Sequence, residues 1–201
     1  MYKLAMESLS LGTELYWTRD PDEHVMRAGV FTVLTIQSGL VTLPAQMKDW
    51  ERNGTSSVHV WGHKKDAIEW LTDEVDLFDR LSAYYRTGDR AGAQMYIARS
   101  CPGLGIVKAS FFLQLLGFQT SCLDTHNLGR LGITAQQFKF TSKTKAETVA
   151  KKIALYNELC DAQGTSEYWW DTWCHFVAGR GPNKTLTTAE AVSQLHVDCI
   201  A

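Results

Sequence analysis

Pro102-Gly103-Leu104-Gly105 interrupts two apolar runs, and that short break limits the folds open to this chain more than any other feature. Before it, Ala93, Tyr96, Ile97 and Ala98 recur at helical spacing; after it, Ile106 to Leu116 form a second apolar run ended by Gly117. Glycine adopts positive φ at little steric cost, and proline removes a backbone donor, so neither run continues through the break. The spacing predicts two short helices joined by a tight corner, not one long helix or a pair of strands. Such a corner also strips side chains from the start of the second helix. Its backbone N–H groups can then approach an anion closely, which is how a helix-hairpin-helix grips a nucleic-acid backbone without reading its sequence. An ordinary helix–helix corner has the same composition, and the turn alone leaves both readings open.

The remaining pattern is helical. "HVMRAGVFTVLTIQSGLV" (24–41) is apolar over almost its whole length and reads as a buried helix. "SSVHVWGH" (56–63) alternates for a few residues, which predicts a short hairpin arm. From Lys64 onward Ala67, Ile68, Trp70 and Leu71 mark one apolar stripe, and Leu77, Phe78, Leu81, Tyr84 and Tyr85 the next. "TGDRAG" (87–92) is a turn, and 143–161 a helix with Val149, Ile153, Tyr156, Leu159 and Cys160 on one side and Gly164 at its stop. A further helix is expected over 165–181, with Trp169, Trp170 and Trp173 as core, and a last one over 187–197. The fold class is mostly α.

Composition narrows the function classes. The chain has 201 residues, 45% hydrophobic and 21% charged, as in an ordinary globular protein. No apolar run reaches the roughly 18 residues needed to cross a bilayer, and "MYKLAMESLS" lacks a secretory signal's basic start and apolar centre. Five scattered cysteines without a C-x-x-C pair point to reduced, buried thiols and an intracellular setting. Cys174-His175 with His196 and Cys199 is the nearest approach to a metal pattern. Adjacent residues do not easily ligate one ion, so no metal is expected. A net charge of −2 argues against a protein that coats nucleic acid indiscriminately. The charge is nevertheless uneven. Acidic residues crowd 66–79, whereas Lys139, Lys143, Lys145, Lys151 and Lys152 are opposed only by Glu147. That basic run is a solvated helix face, or a set of phosphate contacts if its neighbours also point to DNA.

The stretch "PGLGIVKASFFLQLLGF…CLDTHNLGRLG" resembles the helix-hairpin-helix glycosylase superfamily of DNA repair. Pro102, Gly103, Gly105 and Ala109 fall on its hairpin pattern, Leu123-Asp124-Thr125-His126 on its V-D-T-H, and Arg130-Leu131-Gly132 on its downstream R-L-G. The match covers about 100–132. It implies a two-lobed helical fold in one domain over 1–201, with the hairpin lobe at about 64–140 and the second lobe built from 1–63 and 141–201. It also implies a monomeric protein that binds double-stranded DNA through Gly103, Gly105, Ile106 and Lys108, with Lys143 and Lys145 as further contacts.

Two departures from the family pattern bear on the chemistry. Members that cleave the strand carry a lysine where this chain has Val107, with Lys108 one step later. One step is about 100° on a helix, so Lys108 is either a phosphate-contacting or solvated lysine, or a displaced nucleophile. The family's four closely spaced C-terminal cysteines are absent from this chain, so no iron–sulfur cluster and no other cofactor is expected.

The resemblance places the catalytic aspartate at Asp124, with His126 beside it in sequence. A carboxylate stabilises a cation-like sugar carbon and can activate the incoming nucleophile. Asp124 is also well placed to cap a helix over 125–131, and both roles are compatible. The leading expectation is a monofunctional DNA glycosylase that flips a base and hydrolyses its N-glycosidic bond, with Gln37 filling the gap left in the duplex. A transferase that adds an amine or amino acid to a phosphorylated 5-hydroxymethyl pyrimidine in phage DNA uses the same scaffold. A non-catalytic DNA-binding module is the third reading.

Overall fold

The structure, a computed structural model, describes residues 20–38 and 42–163. Among them all regular structure is helical and no strand is present. The order is α1 (Pro21–Leu34), α2 (Leu43–Asn53), a 3-10 turn at Gly54–Ser56, α3 (His63–Asp73), α4 (Leu77–Thr87), α5 (Arg90–Ser100), α6 (Ile106–Leu115), α7 (Thr125–Arg130), a second 3-10 turn at Ala135–Phe138, and α8 (Ala146–Gln163). The expected helices over 165–181 and 187–197, the tryptophans at 169, 170 and 173, and the Cys174, His175, His196 and Cys199 set lie outside the described residues.

Local chemistry explains where the helices start. Asp20 caps α1 by accepting from the Asp22 N–H at 3.0 Å, with Pro21 at the first helical position. Asp89 caps α5 by accepting from the Gly92 N–H at 2.8 Å, one residue after Gly88 has ended α4 at φ +70°. The turn expected over 87–92 is thus compressed into two residues.

Two expectations are corrected. The helix read over 24–41 stops at Leu34. There the Thr35 hydroxyl turns back onto the Thr32 carbonyl at 2.6 Å, Ile36 bonds only three residues back to Val33, and Gln37 takes φ +55°. Side-chain competition for carbonyls tightens the last turn and ends it. The hairpin arm read at 56–63 is a non-repetitive corner. Its apparent alternation comes from one anchor, buried Val60, set between outward Val58 and Trp61.

Apolar burial holds the helices together. Val30, Val33 and Leu34 of α1, Ile68 of α3, Leu81 of α4, Ile97 of α5, Phe112 and Leu113 of α6 and Val149, Ile153 and Tyr156 of α8 share one continuous core. Each such side chain contributes about 1.5–3 kcal/mol on burial. α1 crosses α3 at Gly29, where a β-carbon would lie 2.6 Å from Leu71 Cδ2.

α5, α6 and α8 are further joined by a buried polar cluster. Gln94 and Asn157 exchange amide hydrogen bonds at 2.7 and 3.1 Å, and Gln94 also donates to the hydroxyls of Ser110 and Thr120 at 2.7 and 3.0 Å. Cys101, Cys122 and Cys160 are buried free thiols, as expected, and burial pushes each up to about 12. Among the described residues no helix is long and apolar enough to cross a membrane, and no group of ligating side chains could hold a metal.

Candidate nucleic-acid interface and catalytic carboxylate

The corner between α5 and α6 is built as its glycines require. Gly103 has φ +75°, and a β-carbon there would press on His63 Cβ at 3.2 Å. The turn therefore lies directly against the start of α3. Leu104 points into the core, and Gly105 stands at the N-cap of α6 in extended conformation with no side chain to cap the helix. The N–H groups of 106–108 begin the helix and have no acceptor within it. Ile106 is buried, so only its backbone can serve a ligand.

Lys108 does not extend into solvent. It is half-buried, its Nζ donates to Thr35 Oγ1 at 2.7 Å, and it lies 5.4 Å from the Phe111 ring centre. That bond ties the first turn of α6 to the chain leaving α1. Gln37 is exposed on the same turn, not on a helix end.

A second lysine, which sequence reasoning passed over, joins this corner. Lys64 of α3 is only 5% exposed, and its ammonium donates to the Leu34 carbonyl at 3.3 Å and Ser38 Oγ at 3.2 Å. α1 has no basic residue in its own last turn, so the two incoming lysines complement the negative end of its dipole. Burial and the nearby Lys108 charge lower the Lys64 pKa. Among the described residues neither ammonium is ion-paired with a carboxylate. The signal for Lys64 was its place on the stripe shared with Ala67, Ile68 and Leu71, at the helical intervals of buried residues.

Asp124 opens α7. Its Oδ1 accepts from the Asn127 N–H at 3.0 Å and its carbonyl from the Leu128 N–H at 2.9 Å, so the capping role is real. The peptide leading to it is held from three sides. Tyr156 of α8 donates to the Ser121 carbonyl at 2.6 Å and accepts from the Leu123 N–H at 2.7 Å. Gln114 of α6 accepts from the Cys122 N–H at 2.9 Å, and the Asn127 amide donates to the Cys122 carbonyl at 2.9 Å. Cys122 lies within electrostatic reach of both Lys108 and Asp124.

Tyr156→Phe should show what this suspension is worth. It removes the hydroxyl but keeps the ring that packs edge-on against Phe138 at 5.1 Å. Two buried backbone groups lose their partner, so urea denaturation should give a loss of about 1–3 kcal/mol. An unchanged midpoint would mean that the loop is held by other contacts.

Lys108, at the start of α6 after the hairpin, is bonded to the turn that carries Gln37, whereas the loop leading to Asp124 is fastened farther along α6, through Gln114, and to α8 through Tyr156. Lys143 and Lys145 are exposed on the turn before α8, where the Thr144 carbonyl accepts from Arg99 at the end of α5 at 3.1 Å. That contact sets them beside the end of α5, which leads into the hairpin. His126 belongs to α7, and its side chain lies outside what the structure describes. No family model matches the chain, and neither a curated protein nor a solved structure matches it.

Proposed function

We propose that the protein is a DNA base-processing enzyme of the helix-hairpin-helix glycosylase kind, a monofunctional hydrolase of the N-glycosidic bond. The observation that carries the reading is the glycine-led, uncapped start of α6, with Lys108 in its first turn and a carboxylate, Asp124, at the start of α7. The hairpin N–H groups would bind a backbone phosphate, and the lysines at 143 and 145 would track the strand. With a base flipped out, Asp124 would stabilise the cation-like sugar and take a proton from the attacking water. The new bond joins water oxygen to C1′, and the base leaves with the electron pair of the old one.

Gly105→Asp tests the interface. The backbone at Gly105 has φ −81° and ψ −177°, and a β-carbon would meet nothing within 4 Å. Aspartate fits there and is a good N-cap, so thermal stability should hold or rise by about a few tenths of a kcal/mol. The same carboxylate blocks and repels a phosphate. Affinity for duplexes of any sequence, read by fluorescence polarisation, should fall by about an order of magnitude or more. A stable variant with undiminished affinity would remove the hairpin from the interface.

A further inference from the structure

Trp61 is an exposed aromatic on a rigid corner. It is 58% exposed and its neighbour Val58 is 82% exposed, although Val60 between them is buried. An aromatic ring turned to solvent offers a face on which another ring can stack. The order is provided by specific bonds. Ser57 Oγ donates to Asp49 of α2, the Val60 N–H to the Ser57 carbonyl at 3.0 Å, and the Lys64 N–H to the Trp61 carbonyl at 3.1 Å. From beneath, the Lys64 ammonium approaches the indole to 5.9 Å from its centre. The backbone that carries the ring is therefore held in place, and the ring is left largely open.

Its surroundings select the partner. Two residues on, His63 touches the hairpin at Gly103, and Lys64 reaches the Gln37 turn through Ser38. The corner reads His59, Trp61, His63, Lys64, Lys65, aromatic and basic side chains interleaved. It sits beside the uncapped start of α6; His63 lies 3.9 Å from Asp66 and Lys65 3.7 Å from Glu69, and Lys64 is buried beneath. An apolar protein partner would gain nothing from that helix start. A nucleotide uses both parts, its π-face on the indole and its phosphate at the N–H groups of the helix start.

We infer that Trp61 is a stacking platform for an unpaired nucleobase displaced from the duplex that the hairpin holds. The inference rests on the proposed DNA-binding reading and adds to it the place where the base lies. It does not require Asp124 to be catalytic.

The test compares three fluorescein-labelled probes: a fully paired duplex, the same duplex with one central unpaired thymine, and a thymine single strand. The full chain should prefer the two probes with unpaired bases. Trp61→Ala should weaken those two roughly ten-fold, the usual effect of losing one base–aromatic stack, and shift the paired duplex by less than about two-fold. Trp61→Phe should restore most of the loss. With 2-aminopurine as the unpaired base, its fluorescence should be quenched on binding the native protein and not on binding Trp61→Ala. Equal weakening of all three probes, failure of phenylalanine to rescue, or quenching that survives Trp61→Ala would each overturn the inference. Hairpin-dependent binding of paired duplex with no Trp61 effect would overturn this inference alone, whereas absence of any DNA binding would overturn both readings.

Discussion

Asp124→Asn should slow base removal by roughly two to four powers of ten while leaving DNA affinity equal or slightly higher. The magnitude is that of removing a well-placed charged group from a site where charge develops only in the transition state. Asparagine caps helices about as well as aspartate, and its side-chain oxygen can keep the 3.0 Å bond from the Asn127 N–H. Folding should therefore survive, and melting curves should coincide with those of the native protein. Single-turnover kinetics on a duplex carrying a susceptible base, with a binding measurement on the same preparation, decides the matter. Asp124→Ala provides the contrast, because it loses the cap as well and should cost a further 0.5–2 kcal/mol of stability. If the asparagine variant kept every activity, Asp124 would be a cap only and the protein a DNA-binding module.

Lowering the pH should weaken the fold well before its carboxylates are protonated. Burial, with Arg27 close by, pushes His24 from 6.5 down to about 3. The unfolded chain takes up a proton near pH 6.5, whereas the folded chain resists until about 3. The contribution is complete above pH 6.5 and is lost as pH falls through that window, at up to about 1.4 kcal/mol per unit. Over the whole window this amounts to a few kcal/mol, a large part of an ordinary domain's stability. Asp49, bonded to Ser57 and Asn53, and Asp161, gripped by Arg90, are held below their usual range. They add their own acid sensitivity only below about pH 4. Urea denaturation at pH 7, 5.5 and 4.5 should show a steady decline, and His24→Gln should flatten it. An equal decline in the variant would place the titrating group elsewhere.

What could be read from the sequence was whatever local chemistry decides. The hairpin between α5 and α6 was legible because Pro102, Gly103 and Gly105 act within five residues of one another. Asp124 as a cap was legible for the same reason. Lys64 was not, although its spacing to Ala67, Ile68 and Leu71 was visible. Its charge gives no hint of burial, which arises because the carbonyl of Leu34 and the hydroxyl of Ser38, some thirty residues earlier, accept its ammonium hydrogens. The strand read at 56–63 failed because alternation over so few residues is also produced by one buried anchor in a bent corner. The Tyr156 grip on the loop before Asp124 left no sequence signal beyond a core position on α8. Its partners lie 33 and 35 residues away, and only tertiary packing brings them into register.

The amide pair between Gln94 and Asn157, with its two hydroxyl partners, has a kinetic consequence. It locks both arms of the hairpin to α8 in one geometry, and its exchange with apolar contacts would leave an amide unsatisfied in the core. On the proposed DNA-binding reading, the hairpin is therefore set before any encounter, and association need not wait for it to order itself. Binding should then proceed in a single fast phase, accelerated by low salt and limited by diffusion and orientation. The heat-capacity change should reflect the contact area alone, without the large additional term of a segment that folds as it binds.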